Sequence, residues 1–189
     1  MIDYLTSHIQ WVILGGVIIA IILSFIPKID ILIEKLSRFF MYTSVIALIL
    51  LSLLVTYDVI TRKLFSGGSI ALQELEWHLF DIVFLFGIAF TLSKDKHVRV
   101  DILYDKFPKK IKLLINFLSI VLFVIPLSIL IIVEALPFVQ MSYLQHEASG
   151  DPGGLCCRWI IKSSMIIAFI MVYLQSIAEL RKIYLRIKK

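Results

Sequence analysis

The chain has 189 residues, of which 60% are hydrophobic and 17% are charged, and its formal net charge is +5. Soluble domains average about 45–50% apolar and about 25% charged residues, so this composition excludes an ordinary soluble fold and indicates a membrane protein. The basic balance does not indicate nucleic-acid binding, because the cations cluster beside apolar runs, where they orient a membrane protein.

Five apolar stretches are long enough to cross a bilayer, which takes about 20 residues. The first has no Lys or Arg before it and no small-residue cleavage site after it, so we expect a retained helix rather than a signal peptide. Together the stretches predict an all-α integral membrane protein, a bundle of about five transmembrane helices in a single membrane domain, 1–189. The predicted spans are 9–26, 39–60, 75–93, 113–133 and 159–178.

The distribution of cations predicts the orientation of the chain. Fifteen Lys and Arg residues lie in 27–38, in 94–112 and after the last span, whereas only Arg62, Lys63 and Arg158 lie between spans on the other side. Cytoplasmic loops carry the excess of Lys and Arg. We therefore predict a periplasmic N-terminus, a cytoplasmic C-terminus, a cytoplasmic loop at 94–112 and a periplasmic loop at 134–158.

Span 75–93 begins with a group of ionisable side chains. Glu74, His78 and Asp81 lie at i, i+4 and i+7 and so share one helical face. We interpret this face as a docking surface for another membrane protein or as interfacial residues that reach water, in preference to part of an ion path. Near the outer end of the preceding span, Asp58 and Arg62 are spaced for a local salt bridge.

The cytoplasmic loop contains a second patterned stretch. Its apolar residues recur on one helical face, and His97 and Asp101 are spaced i, i+4 for a hydrogen bond. An amphipathic helix on the membrane surface fits this pattern, and a solvated charged turn fits it as well. The apolar residues of that face are Val100, Leu103, Tyr104 and Phe107.

Other features concern anchoring and turns. Trp11, Trp77 and Trp159 lie near span ends, where tryptophan anchors a protein at the membrane interface. Pro126 lies inside a span and is expected to kink it. The stretch QHEASGDPGGL at 145–155 is rich in turn residues and either contacts a periplasmic partner or simply reverses the chain.

The chain shows no catalytic signature. It has no Walker-type phosphate loop, no HExxH and no GxSxG motif, and the adjacent Cys156 and Cys157 provide neither a disulfide framework nor a metal-ligand spacing. We therefore expect no bound metal or cofactor and interpret the chain as a subunit of a larger assembly. Two alternatives stay open: a stand-alone ion carrier or membrane enzyme, and a membrane anchor of an unrelated complex.

Two groups of motifs resemble the small membrane subunit of tripartite ATP-independent periplasmic (TRAP) transporters, the DctQ-like family. The first comprises Gln-Glu-Leu-Glu-Trp at 73–77, Phe-Leu-Phe-Gly-Ile-Ala at 84–89 and His-Val-Arg-Val-Asp at 97–101. The second is Glu-Ala-Ser-Gly-Asp-Pro-Gly-Gly-Leu at 147–155, followed by Arg158 and Trp159. The resemblance covers roughly residues 40–180.

The resemblance implies a scaffold role in a bacterial inner-membrane transporter. In this family a periplasmic binding protein captures the solute, typically an organic acid, and a large DctM-like subunit moves it with sodium by an elevator motion. The small subunit braces the large one, and the sodium is expected on the large subunit. Contacts with the large subunit, or a structural role, are expected for Glu74, Trp77, His78, Asp81, His97, Arg99 and Asp101, and contacts with the periplasmic partner for Glu147, Asp151 and Arg158.

The chain departs from the family pattern at two places. The family's minimal form has four spans, so span 9–26 is an addition at the N-terminal end. The Leu155-Cys156 pair stands where the related subgroup tends to have Leu-Pro, which affects the expected geometry of the 145–155 turn.

Overall fold

The computed structural model describes residues 8–65, 67–94 and 107–188, and every regular element within these ranges is helical. Four stretches are long and apolar enough to cross a membrane, and a shorter apolar helix precedes them. The prediction of an all-α bundle of membrane-spanning type is therefore confirmed. The helices are α1 (Ile9–Ser24), α2 (Ile29–Phe65), α3 (Ile70–Ser93), α4 (Lys109–Ser119), a π-helical turn (Ile120–Val124), α5 (Ile125–Leu144) and α6 (Trp159–Ile187).

Helices suit this sequence because a bilayer offers no hydrogen-bond partners to the backbone. Hydroxyl groups on the surface of α2 also need a hydrogen-bond partner in a bilayer, and they find it within their own helix. Ser52 and Thr56 are exposed, and each donates to the carbonyl four residues earlier in its own helix, at 2.9 and 2.7 Å. These polar residues therefore face outward without leaving a donor unpaired.

The last helix, α6, lies at the centre of the bundle and packs against α1, α2, α3 and α5. One apolar cluster joins it to α1 and α5 around Ile177, Ile125 and Ile129, and a second joins it to α3 around Met171 and Ala89. Large apolar side chains on the periphery stay exposed, including Phe84 at 60%. A bilayer or another membrane subunit would cover such a surface.

Polar contacts fasten the bundle at the end where α1 turns into α2. The Arg181 guanidinium on α6 pairs with Asp30 on α2 at 3.0 Å and also donates to the Ser24 carbonyl at the end of α1. Lys182 forms ion pairs with Glu34 on α2 and with Glu179 on its own helix. These cations were expected only to orient the chain, whereas here they also join three helices.

A buried polar pair lies one turn deeper, between α2 and α6. The Ser37 hydroxyl donates to Gln175 Oε1 at 2.7 Å, and Gln175 Nε2 donates to Glu179 at 3.0 Å. Both Ser37 and Gln175 are 0% exposed. Since each polar atom of this pair has a partner, the bonds hold the two helices in register rather than weakening the core.

The largest differences between the helix bounds and the predicted spans are at the start of α2 and at the end of α5. The second helix begins at Ile29 rather than at 39, because the segment before the apolar run is amphipathic and buries Ile33 against α1 and α6. At 1.5 Å per residue its 37 residues extend about 55 Å, well beyond a hydrocarbon core of about 30 Å. The fifth helix continues through Pro137 to Leu144, so 134–144 is helical and the connection to α6 is 145–158.

Two predictions each concern a single helix: a kink at Pro126 in α5 and a salt bridge between Asp58 and Arg62 in α2. Near Pro126, where a kink was predicted, the structure has a π-helical turn that ends at Val124, and the Ser128 hydroxyl donates to the Val124 carbonyl. Such a turn accommodates the proline, which lacks a backbone N–H. The predicted salt bridge between Asp58 and Arg62 is confirmed, with 2.7 Å between Oδ2 and Nε.

Candidate functional site

The connection between α5 and α6, residues 145–158, lies against the first turns of α3. We call it the α5–α6 loop, and we call this end of the bundle the loop end. The loop carries all three predicted periplasmic contact residues, and α3 carries the docking face predicted from Glu74, His78 and Asp81. The fold therefore brings together two groups that were predicted separately.

Glu74 connects the two elements. Its carboxylate accepts hydrogen bonds from the Ser149 hydroxyl, from the Leu155 backbone N–H at 2.6 Å and from the Arg158 guanidinium at 3.3 Å. A single side chain on α3 thus holds the α5–α6 loop at three residues between its middle and its end. The sequence placed Glu74 on a docking face, whereas the structure shows both of its oxygens bonded within the chain.

The turn residues of the loop make this arrangement possible. Gly153 adopts a left-handed backbone conformation, with φ of +85°, that favours glycine. A Cβ on Gly154 would lie 2.3 Å from the Ser149 side chain and 2.8 Å from Glu74 Oε2. The Ser149 N–H donates to the Leu155 carbonyl at 2.9 Å, which closes the loop around these two glycines.

A second ion pair secures the base of the loop. Lys162, in the first turn of α6, pairs with the Glu147 carboxylate and also lies 4.0 Å from the centre of the Phe138 ring. The hydrogen bond from Lys162 lowers the pKa of Glu147 below its usual range. The Glu147 carbonyl in turn accepts from the Arg158 N–H at 3.1 Å, so the two ends of the loop are bound to each other.

A cleft of about 390 Å³ opens between α3, the α5–α6 loop and the start of α6. Acidic and basic groups face each other across it, with Glu74 and Asp81 on the α3 side, next to His78, and Arg158 and Lys162 on the other. Trp77 forms part of the rim and is 75% exposed. This mixed-charge cleft is the candidate contact site for a partner protein.

Six of the ten predicted partner-contact residues line the cleft: Glu74, Trp77, His78, Asp81, Asp151 and Arg158. The sequence did not identify Ser149 as a hydrogen-bond donor to Glu74, nor Lys162 as the ion-pair partner of Glu147. The one available signal was the complementary charge of Glu147 and Lys162 at the two ends of a short connection.

The remaining predicted residues lie elsewhere. Trp11 is 66% exposed in α1, whereas Trp159 packs edge-on against Tyr143 at 5.4 Å between ring centres. His97, Arg99 and Asp101 lie outside the described residues, and so does most of the predicted amphipathic face. Within 8–65, 67–94 and 107–188, no three His, Cys, Asp or Glu side chains come together as metal ligands would.

Comparison with known proteins agrees with the motifs. A search of curated proteins finds no match to the chain. The sequence model of the family described as tripartite ATP-independent periplasmic transporters, DctQ component, matches residues 51–186. That range runs from the middle of α2 to the end of α6 and includes the whole candidate site, whereas α1 lies outside it. The chain therefore belongs to the DctQ component family of tripartite ATP-independent periplasmic transporters, as its motifs predicted.

Proposed function

We propose that this chain is the fixed scaffold of its transporter and braces a large DctM-like subunit that moves the solute by an elevator motion. Membership of the family makes the chain the small subunit of a tripartite transporter and a multi-pass protein of the bacterial inner membrane. Sodium-coupled uptake of an organic acid, with the sodium bound by the large subunit, is the activity that we propose for the assembly. On this proposal the chain itself carries no enzymatic activity.

One observation carries the scaffold role: polar contacts tie the helices together at both ends of the bundle. Glu74 holds the α5–α6 loop to α3 at the loop end, and Arg181 joins α6 to α2 at the opposite end. An elevator works only if one part stays still while another moves. A subunit whose helices are bound together at both ends meets that requirement, because it cannot easily shear.

The exposed surface supports the same role. Trp77, Phe80 and Phe84 lie on the outward face of α3 and are 75%, 59% and 60% exposed. Tryptophan at a helix end favours the membrane interface, and aromatic side chains are common at the centres of protein interfaces. We propose that this face of α3 meets the large subunit or the lipid that surrounds it.

We further propose that the α5–α6 loop faces the periplasm and the end of α6 faces the cytoplasm. This orientation rests on the excess of Lys and Arg on the side of the membrane where α6 ends. In that orientation Asp151, which is exposed at the rim of the cleft, is placed to contact the binding protein. His97, Arg99 and Asp101 then belong to the cytoplasmic side, where we expect them to support assembly.

The proposal is tested by co-purification with a tagged large subunit and by uptake in cells that lack this chain. We expect the two chains to purify together and uptake to fall to background without the small one. Association that never occurs, together with uptake that survives the deletion, would refute the proposal. Asp101→Ala and His97→Ala should reduce assembly without changing the solute profile; an altered solute profile with normal assembly would contradict that role.

A further inference from the structure

A groove of about 570 Å³ lies between α2 and α3 on the outward side of the bundle. It is adjacent to the cleft of the candidate site and shares Trp77 and Asp81 with it, but no residue of the α5–α6 loop lines it. Its lining is mostly apolar and includes two carboxylates. The lining residues are Leu51, Val55, Glu76, Trp77, Phe80 and Asp81.

The two carboxylates of the groove are not neutralised by a cation of the groove itself. One oxygen of Glu76, Oε1, is buried and has no hydrogen-bond partner among the described residues. Asp81 is exposed, and none of the described residues that line the groove is Lys or Arg. A buried carboxylate oxygen without a donor is costly, so a missing donor is expected from outside the chain.

The position of Asp81 along α3 favours a partner on the membrane-facing side of the bundle. Asp81 lies four residues beyond Trp77, about 6 Å along the axis at 1.5 Å per residue, on a 24-residue helix that is long enough to cross the membrane. Ionisable groups within membrane-spanning helices usually face protein or a water-filled cavity, and they often pair with one another.

We propose that this groove, which we call the α2–α3 groove, binds a basic side chain from a transmembrane helix of the large subunit. The inference rests on the proposed function and adds the chemistry of the contact. Charge complementarity selects the ligand, because the described lining of the groove has two carboxylates and no Lys, Arg or His, and the nearby His78 lines the cleft instead. The guanidinium of arginine, with five donors in a fixed fork, suits a site with more than one acceptor oxygen. The exposed rings of Trp77 and Phe80 supply an apolar surface around the charge.

A photo-crosslinking experiment on the native complex tests the position of the partner. A photoreactive phenylalanine analogue replaces Phe80, leaving both carboxylates intact, and the complex with the large subunit is irradiated in membranes. We expect an adduct with a membrane segment of the large subunit that contains Arg or Lys. Adducts with lipid only, or with a segment that lacks a basic residue, would overturn the inference.

Charge reversal tests the contribution of the carboxylate. Asp81→Lys should reduce recovery of the large subunit at least about tenfold, as expected when a buried charge pair becomes a repulsive contact. Glu134→Lys is the matched control, because Glu134 is an exposed carboxylate on the membrane-spanning α5, away from the groove. We expect the control to change recovery less than twofold. Equal recovery of both variants would contradict the inference.

Two further measurements distinguish a misfolded variant, a wrong assignment of the groove and a wrong proposed function. Monodispersity of the isolated Asp81→Lys chain in detergent shows whether it folds; if it does not, the crosslink at Phe80 decides. If the wild-type chain purifies with the large subunit but Phe80 reacts only with lipid, the groove assignment is wrong and the scaffold function stands. If the wild-type chain never purifies with the large subunit, the proposed function fails.

Discussion

Gln175 offers a quantitative test of how the bundle is held together. Replacing it with leucine keeps a similar volume but removes the bond from Ser37 and the bond to Glu179. The Ser37 hydroxyl, which is 0% exposed, would then be left without its acceptor. A buried unsatisfied group costs about 1–3 kcal/mol, while side-chain hydrogen bonds between membrane helices average about 0.6 and reach about 1.7 kcal/mol. We therefore expect Gln175→Leu to lower the free energy of unfolding by about 1–2 kcal/mol.

The double variant makes the prediction more specific. Ser37→Ala removes the hydroxyl that Gln175→Leu would strand, so the two changes together should cost less than the sum of the single changes, with a coupling of about 1 kcal/mol. The assay is reversible unfolding in mixed micelles of a mild and a denaturing detergent. Ser52→Ala serves as control, because that hydroxyl bonds only within its own helix. A coupling near zero, or a Gln175→Leu chain more stable than wild type, would refute the reasoning.

Three further predictions concern the α5–α6 loop. Glu74→Gln should raise hydrogen exchange at the Leu155 amide, which loses its charged acceptor, while exchange in the core of α6 stays unchanged. The thiol contact with its neighbour raises the pKa of Cys157, so maleimide labelling of this residue should be slow at pH 7 and accelerate as the pH rises. The pair between Glu147 and Lys162 should stabilise the loop above about pH 4.3, the ordinary value for glutamate, and lose that effect as the pH falls through the lowered pKa of Glu147.

Matched variants check each of these predictions. Asp151→Asn, which leaves the Glu74 bonds in place, should not change exchange at Leu155; an equal increase in both variants would contradict the role of Glu74. Cys156→Ser should change the pH dependence of labelling at Cys157, and no change would show that the thiols do not interact. Glu147→Gln should flatten the pH dependence of loop proteolysis between pH 3 and 6, and an unaltered profile would remove the ion pair from the explanation.

The sequence was sufficient to predict the helical bundle because hydrophobicity in long runs is a local property. The salt bridge of Asp58 with Arg62 was predictable for the same reason, since both residues lie on one helix. The start of α2 at Ile29 was not found, because its first turns are amphipathic and rely on tertiary contacts with Arg181 and Lys182. Residues 134–144 were taken for loop because a carboxylate and a proline interrupt the apolar pattern.

In the candidate site, too, the local features could be predicted from the sequence and the tertiary contacts could not. The spacing of Glu74, His78 and Asp81 identified a shared face of α3, and the turn residues identified the loop. Only the folded chain shows that Glu74 accepts from Ser149 and Leu155, which are 75 and 81 residues away. Long-range pairing of this kind leaves no periodic pattern in one sequence, so reading residues one helix at a time cannot find it.

Reconstitution tests the central claim most directly. Proteoliposomes are prepared with the large membrane subunit alone, with this chain alone, and with both, and each is supplied with the periplasmic binding protein, its solute and a sodium gradient. The account predicts uptake only when both membrane subunits are present. Full uptake by the large subunit without this chain, or uptake by this chain alone, would contradict it.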